Sequence, residues 1–156
     1  MKKLFILVPV AFIFCMQTIA QTSKQESIKK VCADETAAYK NLDYEAWASY
    51  HVQSKDEQLS WNNSDGSFGF ASGWSNISKG MKEWCKTAKK EESKMTSDNY
   101  TIVIHGDMAF AAYSTTTKNS EGMETTMREH RTLLLKNGVW KILAVQAYAN
   151  HAAEKI

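Results

Sequence analysis

Apolar residues recur at two different periods along this chain, and the change of period divides it. In the first half Ile28, Val31, Cys32, Ala38, Tyr39 and Leu42 fall at three-and-four spacing, with Glu35 in the middle of their stripe, which predicts one helix face. Asn41-Leu42-Asp43 interrupts that pattern, and Asp43 is placed to cap a short second helix carrying Ala46, Trp47 and Tyr50 on one side. A strand-like stretch from Gln58 to Trp61 precedes Asn62-Asn63-Ser64-Asp65-Gly66, a dense run of turn formers. Ser75 is placed to cap a third helix, in which Ile77, Met81, Trp84, Cys85 and Ala88 form the expected buried stripe. The polar run Lys89 to Ser97 ends it.

From there the period is two. Tyr100, Ile102 and Ile104 alternate with polar or β-branched residues, Gly106-Asp107 turns the chain, and Met108 to Thr116 returns. Met123 to Leu135 predicts a long strand, Asn137-Gly138 is the strongest hairpin signal in the chain, and Val139 to Tyr148 closes the sheet. Helices first and antiparallel strands afterwards predict an α+β domain with the helices on one sheet face.

The ends and the charge adjust this picture. Lys2 and Lys3, the apolar run Leu4 to Phe14, and Thr18-Ile19-Ala20 read as an export signal over 1–20, cleaved after Ala20 and leaving one domain over 21–156. The expected location is therefore periplasmic or extracellular, with no membrane segment once the signal is gone. Without Lys2 and Lys3, lysine plus arginine number 17 and match the 17 acidic residues, so the exported chain is near neutral. The one dense lysine cluster, Lys86, Lys89 and Lys90, runs straight into Glu91 and Glu92, which excludes the concentrated positive field that nucleic acid requires. Cys32 and Cys85 remain after cleavage, and export permits either a disulfide between them or two buried thiols. His105, His130 and His151 share no metal-ligand spacing, and no dinucleotide fingerprint, P-loop or G-x-S-x-G is present, so neither a metal nor a cofactor is expected.

Four segments resemble the nuclear transport factor 2-like superfamily, in its SnoaL-like (polyketide cyclase and ketosteroid isomerase-like) form. They are Asn41 to Trp47, Gly73-Trp74-Ser75-Asn76-Ile77, Gly106-Asp107-Met108-Ala109 and Gly138-Val139-Trp140-Lys141-Ile142, and together they cover most of 24–148 in the family's order. The resemblance implies a cone-shaped, curved antiparallel or mixed sheet with three N-terminal helices enclosing an apolar pocket. It also implies a homodimer packed through the sheet. The family holds isomerases, cyclases and dehydratases as well as non-catalytic binding and scaffolding modules, so fold alone does not choose function.

Within that frame a few residues can carry chemistry. Glu35, on a buried stripe, must be paired or have its pKa raised; it either faces the pocket or sits at the stripe's edge and reaches water or a lysine. The two arginines, Arg128 and Arg131, lie three apart on one strand and so face opposite ways, and Glu129 shares Arg131's side. Glu129 and Arg131 thus form either an internal pair or a clamp for a ligand. Isomerase-like members carry an aspartate base on the first strand, where Leu59-Ser60-Trp61 offers none and Asp56 comes too early. In proton-transfer chemistry the acid–base role would fall to Glu35 or His51. Tyr39, Trp47, His51 and Trp61, with Glu35, Glu129 and Arg131, make the expected wall for a small apolar or aromatic molecule. The functional expectation is an exported small-molecule-binding domain. Its alternatives are a cofactor-free isomerase, cyclase or dehydratase, and a dimeric interaction scaffold whose cone is only its core.

Overall fold

The computed structural model describes the backbone of residues 8–62, 66–90 and 92–149, with side chains from Gln21 onward. Lys2, Lys3, the middle of the expected Asn62–Gly66 turn, Glu91 and His151 lie outside the described residues. The order of elements is α1 (Val8–Lys40), α2 (Tyr44–Ser49), β1 (Gln58–Asn62), β2 (Phe68–Ser72), α3 (Trp74–Thr87), β3 (Ser93–His105), β4 (Met108–Asn119), β5 (Glu124–Lys136) and β6 (Val139–Ala149). Among the described residues no helix is long and apolar enough to cross a membrane.

Local chemistry explains most boundaries. The Asp43 carboxylate accepts the Ala46 N–H at 3.0 Å, the expected cap of α2. Asn137 and Gly138 both take positive φ, which the tight turn between β5 and β6 requires. Ser75, in contrast, does not cap α3. The cap is Gly73 at φ 74°, which makes no side-chain bond, and Ser75 sits inside the helix. Two strand limits also differ from the periodicity reading. β3 begins at Ser93, inside the expected polar run, because Ser93, Met95 and Ser97 turn inward while Lys94, Thr96 and Asp98 face water. β2 went unpredicted: its five residues pair with β1, and Gly69 stands opposite Trp61 with no room for a Cβ beneath the indole.

The six strands form one mixed sheet in the order β2-β1-β6-β5-β4-β3, with β1 parallel to β6 and every other pair antiparallel. Two cores hold the helices to it. Ile28 and Cys32 of α1 pack on Ala109, Ala111, Tyr113, Leu133, Trp140 and Ile142. Ala38, Trp47, Ala48 and Ile77 join the three helices to one another.

The expected cone enclosing a pocket does not form. The sheet is open, neither closed nor strongly curled, and among the described strands β2 and β3 are its edges. The side chains give the reason. Where a cone would be hollow, Tyr113, Leu133, Trp140, Ile142 and the charged Arg131 fill the space beneath α1. One surface groove, about 770 Å³ and open to solvent, runs between α1 and β3 past Ala37, Lys40, Met95 and Tyr100, and a second lies between α1 and the β5–β6 turn. Neither groove is lined by any residue of the expected ligand wall.

Candidate functional site

Four pieces of chain bring a row of charges together inside the fold. Helix α1 carries Glu35, and the end of α2 carries His51. The loop that follows carries Glu57, and the inner face of β5 carries Glu129 and Arg131. The loop is firmly positioned. Val52 N–H donates to the Ile142 carbonyl at 2.9 Å and Ile142 N–H to the Tyr50 carbonyl at 2.8 Å, pinning the α2 end to β6. Gly73 N–H donates to the Glu57 carbonyl at 2.8 Å and Trp74 N–H to the Ser54 carbonyl at 2.9 Å, tying the same loop to the start of α3.

The side chains then alternate in sign. Glu57 Oε1 lies 2.5 Å from His51 Nδ1, while its Oε2 accepts the Gln53 backbone N–H at 2.8 Å. His51 Nε2 faces Glu35 Oε1 at 3.5 Å, long for a hydrogen bond but close for an ion pair. That same oxygen accepts the Trp47 indole N–H at 2.8 Å. Glu35 Oε2 accepts from Arg131 at 3.2 Å and from the Thr36 hydroxyl at 3.3 Å, and Arg131 also donates to Glu129 at 2.7 Å. The row reads Glu57, His51, Glu35, Arg131, Glu129. Glu35, His51 and Arg131 are each 3% exposed and Glu57 is 0% exposed. Trp47 lies 3.9 Å from the His51 ring by centroid and Trp74 5.8 Å, forming an aromatic wall, while the Arg131 guanidinium sits 5.7 Å over Tyr113.

The electrostatics follow from that arrangement. Burial opposes ionisation of Glu35, but Arg131, His51 and the Trp47 N–H outweigh it and hold the carboxyl at about 2. For His51, burial works against the charged ring, yet the bonds to Glu35 and Glu57 win and raise its pKa. Arg131 likewise has its charge reinforced, by Glu35, Tyr113 and Glu129, against burial. Desolvation pushes the neighbouring Cys32 thiol up to about 12 and the Tyr113 phenol well above its usual range. Three acidic side chains therefore face Arg131 and His51. The arrangement fixes charges and ties α1, α2, the loop and β5 together, and it is closed to solvent.

Five of the seven expected wall residues, Glu35, Trp47, His51, Glu129 and Arg131, do meet here. Tyr39 and Trp61 have their ring packing elsewhere. Tyr39 stacks on Trp84 at 6.1 Å near the surface, and Trp61 covers Gly69. Trp84 is 46% exposed, so it lies outside the buried stripe expected for α3. Cys32 is buried and Cys85 half-buried, and both are free thiols. Periodicity missed Glu57, because a loop residue has no period to betray its burial. It also missed Tyr113, whose inward side could be read only from its alternation with Ala109 and Ala111.

The backbone has relatives although the sequence has none close enough to place it. No protein-family model and no curated protein matches the chain. Solved structures do. A Nostoc punctiforme protein of unknown function with a cystatin-like fold matches with TM-score 0.64 at 17% identity, over 85% of this chain and 95% of that one. An NTF2-like protein of unknown function from Pseudomonas putida gives 0.67 at 13% identity, over 85% and 91%. The association domain of C. elegans CaMKII gives 0.65 at 17% identity, over 82% and 97%. Identities this low speak for architecture alone, and the architecture is shared along nearly the whole of each chain: this protein has the NTF2-like, or cystatin-like, fold.

Proposed function

We propose that this chain is an exported association module of the SnoaL-like kind, working as a homodimer through the outer face of its sheet. Residues 1–20 serve as the export signal and 21–156 as the working domain. One observation carries the reading: the face turned away from the helices leaves large apolar and aromatic groups in water, with its charges, Lys94, Lys118, Glu124 and Lys136, mostly toward the strand ends. Phe68, Phe70, Val103, Met108 and Phe110 stand on it between 41% and 64% exposed, with His130 and Tyr148 at its centre. Monomeric surfaces rarely leave so many large apolar groups exposed on one face.

Size fits a second copy as occupant. Six strands about 4.8 Å apart and up to 13 residues long present a face on the order of 800 Å², which is the contribution each partner makes to a standard interface. Near its centre Arg128 and Asp98 are of opposite sign, and at one end Lys118 is paired with Glu124 at 3.2 Å. The filled interior points the same way, since it makes the inside of the fold a core rather than a receptacle. The use of the same fold by a domain named for association gives further support. Phe110→Glu places a charge on this face, on the strand beside its centre. It is expected to weaken self-association at least 100-fold by sedimentation velocity while leaving the thermal midpoint within a few degrees. A wild-type protein that stays monomeric at about 100 μM would end the reading.

A second reading, capture of a small apolar or aromatic molecule, is favoured by the open groove between α1 and β3, whose floor is Tyr100, Met95 and Ala37. In that case Glu35 and Arg131 act behind the groove wall, through Thr36 and Tyr113, rather than as the ligand's own contacts.

A further inference from the structure

Gln21 follows the expected cleavage bond directly, and it lies inside α1, which runs from Val8 to Lys40. Gln21, Thr22, Ser23 and Lys24 are all exposed and Gln25 is half-buried, and from Gln21 onward the first side chain sealed in the core is Ile28. Resting on the export reading above, we propose that Gln21 is a modification site. Once freed, its α-amine closes on its own side-chain amide, so that the working domain begins with pyroglutamate.

In this step the α-amino nitrogen attacks Cδ of the Gln21 side chain. An N–Cδ bond forms, the Cδ–Nε2 bond breaks, and Nε2 leaves as ammonia, taking the proton that the amine gives up. The atoms balance without an oxidant or a second substrate. Nucleophile and leaving group sit on one residue and close a small, unstrained lactam, so covalent connection supplies the orientation that a bimolecular reaction would lack.

The fold leaves the reaction unobstructed. Each helical N–H donates to the carbonyl four residues earlier, so removal of 1–20 takes away the acceptors that α1 assigns to residues 21–24. The Gln21 nitrogen then has no helical bond to lose. Its carbonyl, the acceptor that the helix assigns to the Gln25 N–H, takes no part in the ring closure. Charge favours the lactam as well. A protonated amine at the start of a helix opposes the helix dipole, and the first turn holds Lys24 rather than an acid to offset it. The first carboxylate along the helix, Glu26, is engaged by Lys29 at 2.8 Å. Ring closure removes the terminal charge and keeps one N–H. It also removes the free α-amine by which an aminopeptidase holds its substrate, at an end where residues 21–24 stand in water within reach of one.

The test is tandem mass spectrometry of the N-terminal peptide of the protein exported by its own host. Free amines are capped by reductive dimethylation at harvest, so that no lactam formed during work-up is counted. The peptide is expected to begin at residue 21, to carry no dimethyl group on its α-nitrogen, and to be lighter than the encoded peptide by one ammonia. Gln21→Ala, handled in the same way, should begin at the same position and carry the dimethylated amine, which shows that the reagent reaches this end of α1. A wild-type peptide that begins at Gln21 with a dimethylated α-amine would overturn the lactam while leaving the export reading standing. A chain that keeps residues 1–20, or begins at another residue, would overturn both the lactam and the cleavage bond on which it rests.

Discussion

Arg131→Met is expected to lower the free energy of unfolding by roughly 3–5 kcal/mol, the cost of breaking a buried ion pair by removing one partner. The guanidinium is 3% exposed and donates to two carboxylates, Glu35 at 3.2 Å and Glu129 at 2.7 Å. Methionine matches its length but leaves both acids in the core with no neighbouring guanidinium. Because a domain of this size is stable by only about 5–15 kcal/mol in total, the variant should sit near its unfolding threshold. Glu35→Gln costs less alone, since the single amide oxygen still accepts from either Trp47 or Arg131, and Arg131 keeps Glu129. Combining the two should recover part of the loss, with a coupling of about 1–3 kcal/mol in a double-mutant cycle of urea unfolding. A single-variant loss below about 1 kcal/mol, or additivity within error, would mean that Arg131 is hydrated in solution and that the row of charges is not the structural tie described here.

Much of this arrangement was legible in the residues. Glu35 on an apolar stripe demanded a partner, and strand parity placed Arg131 and Glu129 on one side of β5; the structure joins the three. Asp43 and Asn137-Gly138 announced their cap and turn because those effects are local, set by a side chain and its own backbone. The curvature of the sheet was not legible. Alternation reports which face a strand buries but not how far neighbouring strands bend, and the volume beneath α1 depends on which side chains meet there from distant segments. Tyr113, Arg131 and Trp140 come together from three strands to fill it. Trp84 shows a related limit. Its spacing from Ile77 and Met81 is helical, yet it falls at the rim of the stripe and lies over Tyr39 instead of under the helix.

The outer face was invisible for another reason. A half-buried sheet and an interface share one pattern of alternation, and only the exposure of Phe68, Phe70, Val103 and Phe110 separates them. Under the association reading, that observation moves the functional weight from the inside of the fold to its surface. The charges inside are committed to one another. Among the described residues the apolar groups outside have no partner that buries them, and hydrophobic burial is the term that drives association.

The charge row should also leave a two-sided signature in stability against pH. The folded pKa of Glu35, about 2, lies below its ordinary value of 4.5, so its contribution is complete above 4.5 and is lost as the pH falls toward 2. Integrated over that interval the loss is on the order of 3 kcal/mol. The folded pKa of His51 is raised above its ordinary 6.5, so its contribution is complete below 6.5 and is lost as the pH rises through the raised value. Both are therefore fully present between pH 4.5 and 6.5, where this pair of groups stabilises the fold most. Other carboxylates titrate in the acid range too, so the informative quantity is the difference between wild type and variant in urea midpoint across pH 2 to 9. Glu35→Gln should flatten the acid arm and also shrink the alkaline one, because Glu35 is one of the two groups that raise His51; His51→Gln should flatten the alkaline arm and leave most of the acid one, which Arg131 and the Trp47 N–H still support. If Glu35→Gln loses stability below pH 4.5 as steeply as the wild type does, Glu35 is not the buried, ionised centre of the row. If His51→Gln keeps the full alkaline decline, His51 does not hold its proton between the two carboxylates.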